Sequence, residues 1–143
     1  MRMLSLFLAA AAGLATPPPM SSHVIVANAW FRALPAHLPA GGYFELRNLG
    51  KWPVTLTGAE SSACGMLMLH KSQDKGGVGS MEDVSSVDVL PKGTVKFSPG
   101  GYHLMCMDPT IEMTPGRVVG VTLHFSDTTT IAAKFDVKNA KGQ

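Results

Sequence analysis

The chain has 143 residues, of which 45% are hydrophobic and 15% are charged, and its formal net charge is +2 at neutral pH. This length and composition suit one soluble globular domain with a single hydrophobic core. Lys and Arg form no cluster and no basic face with interleaved aromatic residues. We therefore exclude nucleic acid as a partner.

The first fifteen residues predict a cleaved signal peptide. Met1-Arg2 gives a short positive start, residues 3–14 form an apolar run, and Gly13-Leu14-Ala15 is a small-x-small cleavage site. The run is too short for a permanent transmembrane anchor, and no second apolar stretch approaches that length. We expect an exported protein that is cleaved near Ala15 and is not inserted in the membrane.

The remaining residues predict a flexible lead-in over 16–23, one all-β domain over 24–138 and a short tail over 139–143. Within the domain, short alternating or apolar runs are separated by turn residues, which is typical of β-strands. No window shows a sustained helical period. Eight or nine short strands of this kind predict a β-sandwich or barrel. The predicted strands include 43–47, 54–57, 64–70, 84–90, 94–98, 103–107, 117–126 and 130–138.

The chain has two cysteines, Cys64 and Cys106, which could form one disulfide in an oxidising compartment. In regular strands, Cys64 shares the parity of His70. Cys106 has the opposite parity to His103 and Met105, so the two thiols would point to different sides of their strands. We therefore expect unpaired cysteines that are buried as small hydrophobic residues.

Four residues form a candidate metal-binding set: His70, Met81, His103 and Met105. Ten residues separate the first pair, twenty-one separate Met81 from His103, and one separates the last pair. Two imidazoles and two thioethers make a soft, uncharged set of ligands that contains no thiolate and no carboxylate. Because thioether sulfur favours monovalent copper, the set predicts a Cu(I) site.

The predicted strands place these residues at one end of the sandwich. His70 closes a strand, and Met81 lies in a glycine-rich loop over 71–83 that we expect to be mobile. His103 and Met105 open a strand, and their i, i+2 spacing puts both side chains on one face. The predicted site is therefore near the surface, with three rigid donors and a fourth, Met81, that can lift away.

This spacing resembles the signature H-x10-M-x21-H-x-M of the periplasmic PCu(A)C copper chaperones. Further landmarks of that family in this chain are Trp30, Arg32, the Tyr43-Phe44 pair, Asn48 and Pro99-Gly100-Gly101. The resemblance spans residues 24–137. It implies a cupredoxin-like Greek-key β-sandwich that carries Cu(I) on the four residues named above and catalyses no reaction.

The resemblance also implies a periplasmic location and a recipient, the CuA centre of a cytochrome oxidase subunit, with Sco-type thiol proteins in the same pathway. We expect a monomer. Some relatives have a His- and Met-rich C-terminal tail that adds Cu(II) capacity. Here the last residues are Lys-Asn-Ala-Lys-Gly-Gln, so we expect that second site to be absent.

Two alternative functions stay open, a blue-copper electron carrier and a periplasmic copper storage or resistance protein. A blue-copper site needs two His, one Cys and a weak axial Met, but Cys106 follows His103 and Met105 and has the wrong parity. An enzyme is not predicted, because the C-x-x-C motif of thiol–disulfide exchangers is missing. The residues that stay open as auxiliary ligands are Met68, Met107 and His23.

Overall fold

The computed structural model describes residues 16–75 and 78–143; the predicted signal peptide lies outside the described residues. The described chain contains ten β-strands and two short 3₁₀ turns, Met20–Ser22 and Pro35–His37. The strands are β1 (Val24–Arg32), β2 (Ala40–Asn48), β3 (Val54–Glu60), β4 (Cys64–Lys75), β5 (Val78–Asp83), β6 (Val87–Val89), β7 (Thr94–Phe97), β8 (Tyr102–Pro109), β9 (Val118–Phe125) and β10 (Thr130–Lys138). Within this part of the chain, no helix has the length and apolar character needed to cross a membrane.

The strands form one continuous hydrogen-bonded sheet that folds over itself into a sandwich. Along the sheet the order is β5-β4-β8-β2-β1-β10-β9-β3-β6, and β7 also pairs with β2. One end of β2 pairs with β8 and the other end with β7. The first and last strands, β1 and β10, are parallel neighbours. The predicted all-β sandwich is confirmed.

The core is built from alternate residues of the strands, because successive side chains in a strand point to opposite faces. In β2, for example, Phe44, Leu46 and Asn48 are buried and the residues between them are less so. Phe44 and Phe31 both pack against Phe135 of β10, with ring centroids 5.6 and 5.1 Å apart respectively. This aromatic centre fixes the positions of β1 and β2, which form one side of the site described below.

Strands β4 and β5 form a hairpin where the sequence predicts a loop. β4 continues past His70 to Lys75, and β5 pairs with it in antiparallel register from Lys75 opposite Val78 to His70 opposite Asp83. Met81 therefore lies on a strand, opposite Ser72. The prediction that His70 closes its strand and the prediction that Met81 lies in a loop are both wrong; residues 76–77 of the predicted loop lie outside the described residues.

Cys64 and Cys106 form a disulfide between β4 and β8, with their Cα atoms 5.3 Å apart, so the expectation of unpaired cysteines is wrong. Both positions are buried as expected. The parity argument fails because the alternation breaks: Cys64 is buried but the next two residues are both exposed. At this irregularity Asp108 has a φ of +48°, and a Cβ at Gly65 would lie 2.9 Å from the Cβ of Asp108.

Residues before β1 contact the turn between β9 and β10. The Met20 N–H donates to Asp127 Oδ2 at 2.7 Å, and the Ser21 N–H donates to Thr129 Oγ1 at 3.2 Å. His23 follows, packed so closely on Gly50 that a Cβ there would lie 2.4 Å from its ring.

Candidate metal centre

An open cavity of about 850 Å³ lies where β4, β5 and β8 meet the chain between β1 and β2. All four predicted ligands, His70, Met81, His103 and Met105, line it. The remaining lining residues are Arg32, Leu34, Leu38, Pro39, Gly41, Tyr43, Ser72, Pro99, Gly100, Met107 and Ala140. The structure thus brings together four predicted ligands that are up to 35 positions apart in the sequence.

The two histidines form a cross-strand pair. His70 of β4 stands directly opposite His103 of β8, and their ring centroids are 5.6 Å apart with an interplanar angle of 76°. Directly opposed side chains of antiparallel strands point to the same face of the sheet. The pairing therefore holds both imidazoles at one place through backbone register alone.

His103 is only 4% exposed, and one hydrogen bond sets its tautomer. Its Nδ1–H donates to the carbonyl oxygen of Gly101 at 3.2 Å. Since Nδ1 carries the hydrogen, the lone pair is on Nε2, which is buried and has no hydrogen-bond partner among the described residues. Burial lowers the pKa of His103 below its usual value; the bond to Gly101 opposes this shift and His70 adds to it. The ring is therefore neutral near pH 7 and offers one nitrogen for a metal.

His70 is approached by a carboxylate that the sequence prediction does not include. Asp83 stands opposite it on β5, with Oδ1 2.7 Å from His70 Nε2. The His70 side chain is 12% exposed and that of Asp83 83% exposed. Neither ring nitrogen of His70 has a partner of good hydrogen-bond geometry within the described residues. Asp83 therefore lies within ion-pair distance of Nε2 without an aligned hydrogen bond, and Nδ1 is left free. A carboxylate so placed can orient a metal-binding histidine from outside the metal's ligand set.

The two methionines lie on opposite sides of the histidine pair. Met105 follows His103 by two residues and so shares its face; it stands between Met68 of β4 and Gly41 of β2. Met81 is 60% exposed and stands beside the histidine pair on the hairpin. The structure therefore contains one partly buried thioether and one that faces solvent.

The three residues that stay open as auxiliary ligands differ in their positions. Met107 lines the cavity. Met68 is opposite Met105 but lines a neighbouring depression between β3 and β4. His23 is at the other end of β2, where its carbonyl accepts a hydrogen bond from the Leu49 N–H.

Arg32 of β1 and Tyr43 of β2 form one wall of the cavity that Met105 also lines. The Arg32 guanidinium carbon lies 5.4 Å from the centre of the Trp30 ring and 5.6 Å from that of the Tyr43 ring. These distances are within the range of a cation–π interaction. Trp30 also has the Lys138 ammonium group 5.1 Å from its ring centre.

Comparison with protein families identifies the chain. Residues 24–137 match the family model described as "Putative lipoprotein LpqE-like". "Putative lipoprotein Lxx21020" from Leifsonia xyli subsp. xyli is 33% identical over 128 residues, which are 89% of this chain and 76% of that protein.

Solved structures agree with this match. The copper-bound PCuAC domain from PmoF2 has a TM-score of 0.68 over 82% of this chain and 93% of its own, and its 20% identity shows the fold alone. CuI-DR1885 from Deinococcus radiodurans has a TM-score of 0.66 and 26% identity, covering 81% of this chain and 78% of its own. The cupredoxin-like fold class and the family resemblance that the sequence predicts are both confirmed. The chain belongs to the LpqE-like family of PCu(A)C-type proteins.

Proposed function

We propose that this protein is a Cu(I) chaperone that holds one copper ion on His70, Met81, His103 and Met105. The observation that carries the proposal is a pair of imidazoles that line one cavity together with both thioethers. Among the described residues, His103 Nε2 and His70 Nδ1 are buried and have no hydrogen-bond partner. A buried polar atom without a partner costs free energy. A bound metal ion would satisfy these nitrogens.

The chemistry of the donors supports copper, in its monovalent state. Neutral imidazole and thioether groups add no negative charge, whereas zinc sites use thiolate, imidazole and carboxylate donors. The copper-bound PmoF2 domain and CuI-DR1885 share this fold, which also supports the proposal.

Transfer, rather than catalysis, suits the exposure of the site. The cavity is open, and Met81 lies largely in solvent, so donor atoms of a second protein can reach a bound ion and replace this thioether first. The family resemblance supports the CuA centre of a cytochrome oxidase subunit as recipient, with Sco-type proteins in the pathway. The disulfide suits an oxidising compartment outside the cytoplasm, and we propose the periplasm.

A blue-copper electron carrier is disfavoured by the structure. Such a site needs a cysteine thiolate, but both cysteines of the chain are joined in the disulfide. Copper storage or resistance would use the same cavity and differs from chaperone function only in whether the ion is passed on.

Mass spectrometry of the anaerobic mature protein tests the proposal. We expect one Cu(I) per chain with the disulfide intact, and a strong preference for Cu(I) over Zn(II) when both are offered under conditions that keep copper reduced. A variant with both His70→Ala and His103→Ala should lose the ion. His124→Ala is the matched control, because His124 is a half-exposed histidine that contacts Glu60 at 3.3 Å.

Two or more tightly bound ions per chain, or a preference for Zn(II), would contradict the site proposed here. Mixing the loaded protein with a soluble CuA domain separates the remaining alternatives. Movement of copper to the CuA domain supports a chaperone, whereas retention of copper on this protein supports storage.

A further inference from the structure

Arg32 and Met105 belong to one row of directly opposed residues that crosses three strands. Arg32 of β1 pairs with Gly41 of β2, and Gly41 pairs with Met105 of β8. Neighbouring strands are about 4.8 Å apart, so the Arg32 and Met105 backbones are separated by about 10 Å. Because opposed residues point to the same face, both side chains extend over the side that forms the cavity, and both line it.

Glycine at position 41 leaves room for the Tyr43 ring between these two side chains. A Cβ on Gly41 would lie 2.6 Å from the Tyr43 hydroxyl oxygen. The ring therefore lies over Gly41, and its face supports the Arg32 guanidinium. This packing confines the positive charge to the cavity wall.

The charge of Arg32 is held by aromatic rings rather than by a counter-ion. Among the side chains that the structure describes, those of residues 16–73 and 79–143, no carboxylate forms an ion pair with Arg32, and its buried Nε has no hydrogen-bond partner. The carboxylate of Asp83, which contacts His70, is 83% exposed and is therefore strongly screened by solvent. The cavity thus has a net positive wall beside neutral donors.

We propose that Arg32 is a specificity-determining residue, which biases the copper cavity towards monovalent and against divalent cations. This inference rests on the proposed Cu(I) site. A fixed positive charge repels a divalent ion twice as strongly as a monovalent one. We take the backbone separation of about 10 Å as the order of the distance between the charge and the ion. With an effective dielectric constant of about 20, each unit of ion charge is then disfavoured by about tenfold in affinity.

The test measures the affinities for Cu(I) and Cu(II) of the folded mature protein and of its Arg32→Met variant. Methionine keeps an unbranched apolar stem against the aromatic rings. We expect about tenfold tighter Cu(I) binding and about a hundredfold tighter Cu(II) binding. The reduction potential of the bound copper should fall by about 59 mV for each tenfold increase in the ratio of the Cu(II) affinity to the Cu(I) affinity. Arg32→Gln provides the same loss of charge if Arg32→Met does not fold.

Two control variants separate charge from packing and from distance. Arg32→Lys keeps the charge and should leave the ratio of Cu(I) affinity to Cu(II) affinity within about threefold of the wild-type value. Lys138→Met removes a cation from the same Trp30 ring. Lys138 pairs with Arg32 on the side away from Met105, and the screening length of about 8 Å at physiological salt should make its effect much smaller.

The role of Arg32 would be overturned if Arg32→Met left the ratio of the two affinities unchanged, or if Lys138→Met changed this ratio as much as Arg32→Met does. Either result would leave the Cu(I) site in place. Failure of the wild-type protein to bind Cu(I) would instead overturn the proposed function itself. Circular dichroism and the one-ion stoichiometry for Cu(I) verify that each variant is folded before the ratios are compared.

Discussion

His70 and His103 stand directly opposite each other on adjacent antiparallel strands, with ring centroids 5.6 Å apart. The Cα atoms of such a pair are about 4.5–5.5 Å apart in any antiparallel ladder. The distance between the two imidazoles is therefore a consequence of strand pairing, and no loop has to close to bring them together.

The histidines should contribute more to Cu(I) affinity than Met81 does. Imidazole is the stronger donor and both rings are held by the sheet, whereas Met81 is 60% exposed. We expect His70→Ala or His103→Ala to weaken binding by at least about 100-fold, the upper range for loss of an outer partner of a ligand. Met81→Leu should cost less than about tenfold, and competition with a Cu(I) chelator measures both. If Met81→Leu proves as harmful as His103→Ala, Met81 is not the detachable ligand.

Asp83 should act on copper through His70. Its carboxylate lies 2.7 Å from His70 Nε2, so Asp83→Asn should remove the charge that orients the ring and lower Cu(I) affinity by about tenfold or more. Asp136→Asn makes the same change in net charge on an exposed position of β10 and should have little effect. Equal or tighter binding by Asp83→Asn would show that the carboxylate competes with the metal for Nε2.

Copper affinity should fall in acid, because only neutral imidazoles bind the metal. Burial lowers the pKa of His103 below its usual 6.5, so protons compete for this ring only below about that pH. Thioethers do not titrate and should leave a weak residual site. Affinity that stays constant from about pH 7 down to the lowest pH at which the protein is still folded would exclude the imidazoles as ligands.

The His103 imidazole also makes the metal-free protein less stable in acid. In the unfolded chain His103 takes up a proton near its usual pKa of 6.5, while in the folded chain its pKa is lower. Between these two values the unfolded state binds more protons, so the free energy of unfolding decreases as pH falls below about 6.5. Urea titrations of wild type and His103→Gln at several pH values check this, since the variant should lose part of the pH dependence.

Loss of the disulfide should destabilise the fold without abolishing the site. The bond joins residues 42 positions apart, and cross-links of this kind contribute about 2–4 kcal/mol by restricting the unfolded chain. We expect a variant with Cys64→Ala and Cys106→Ala to show a lower melting temperature and still bind one Cu(I). A loss of copper binding in the folded variant would mean that the site depends on the disulfide.

Much of the fold could be predicted from the sequence, and the four residues proposed as ligands all line one cavity of the structure. Alternating runs separated by turn residues indicate strands directly, and the i, i+2 relation of His103 and Met105 requires only that their segment is a strand. A Gly-Gly pair between two strands is a signal for a two-residue hairpin. Gly76-Gly77 could therefore have indicated that Met81 lies on a strand and that Asp83 lies opposite His70.

The disulfide could not be predicted by the same logic. Counting parity along β4 assumes regular alternation, and this fails at Gly65, where the positive φ of Asp108 disturbs the ladder. The cavity wall formed by Arg32 and Tyr43 could not be predicted from the sequence either, because it depends on β1, β2 and β8 being neighbours in the sheet. That order is set by the packing of the whole core.

The disulfide has a consequence for the alignment of β4 and β8. A slip of one residue between paired strands would turn every side chain of one strand to the opposite face, which would send one of the two histidines into the core. Cys64 and Cys106 join the same two strands as His70 and His103 do, and the covalent bond prevents that slip. The folded chain thus already has the strand alignment that the proposed copper site needs, and none of the binding free energy of an ion would be needed to select it.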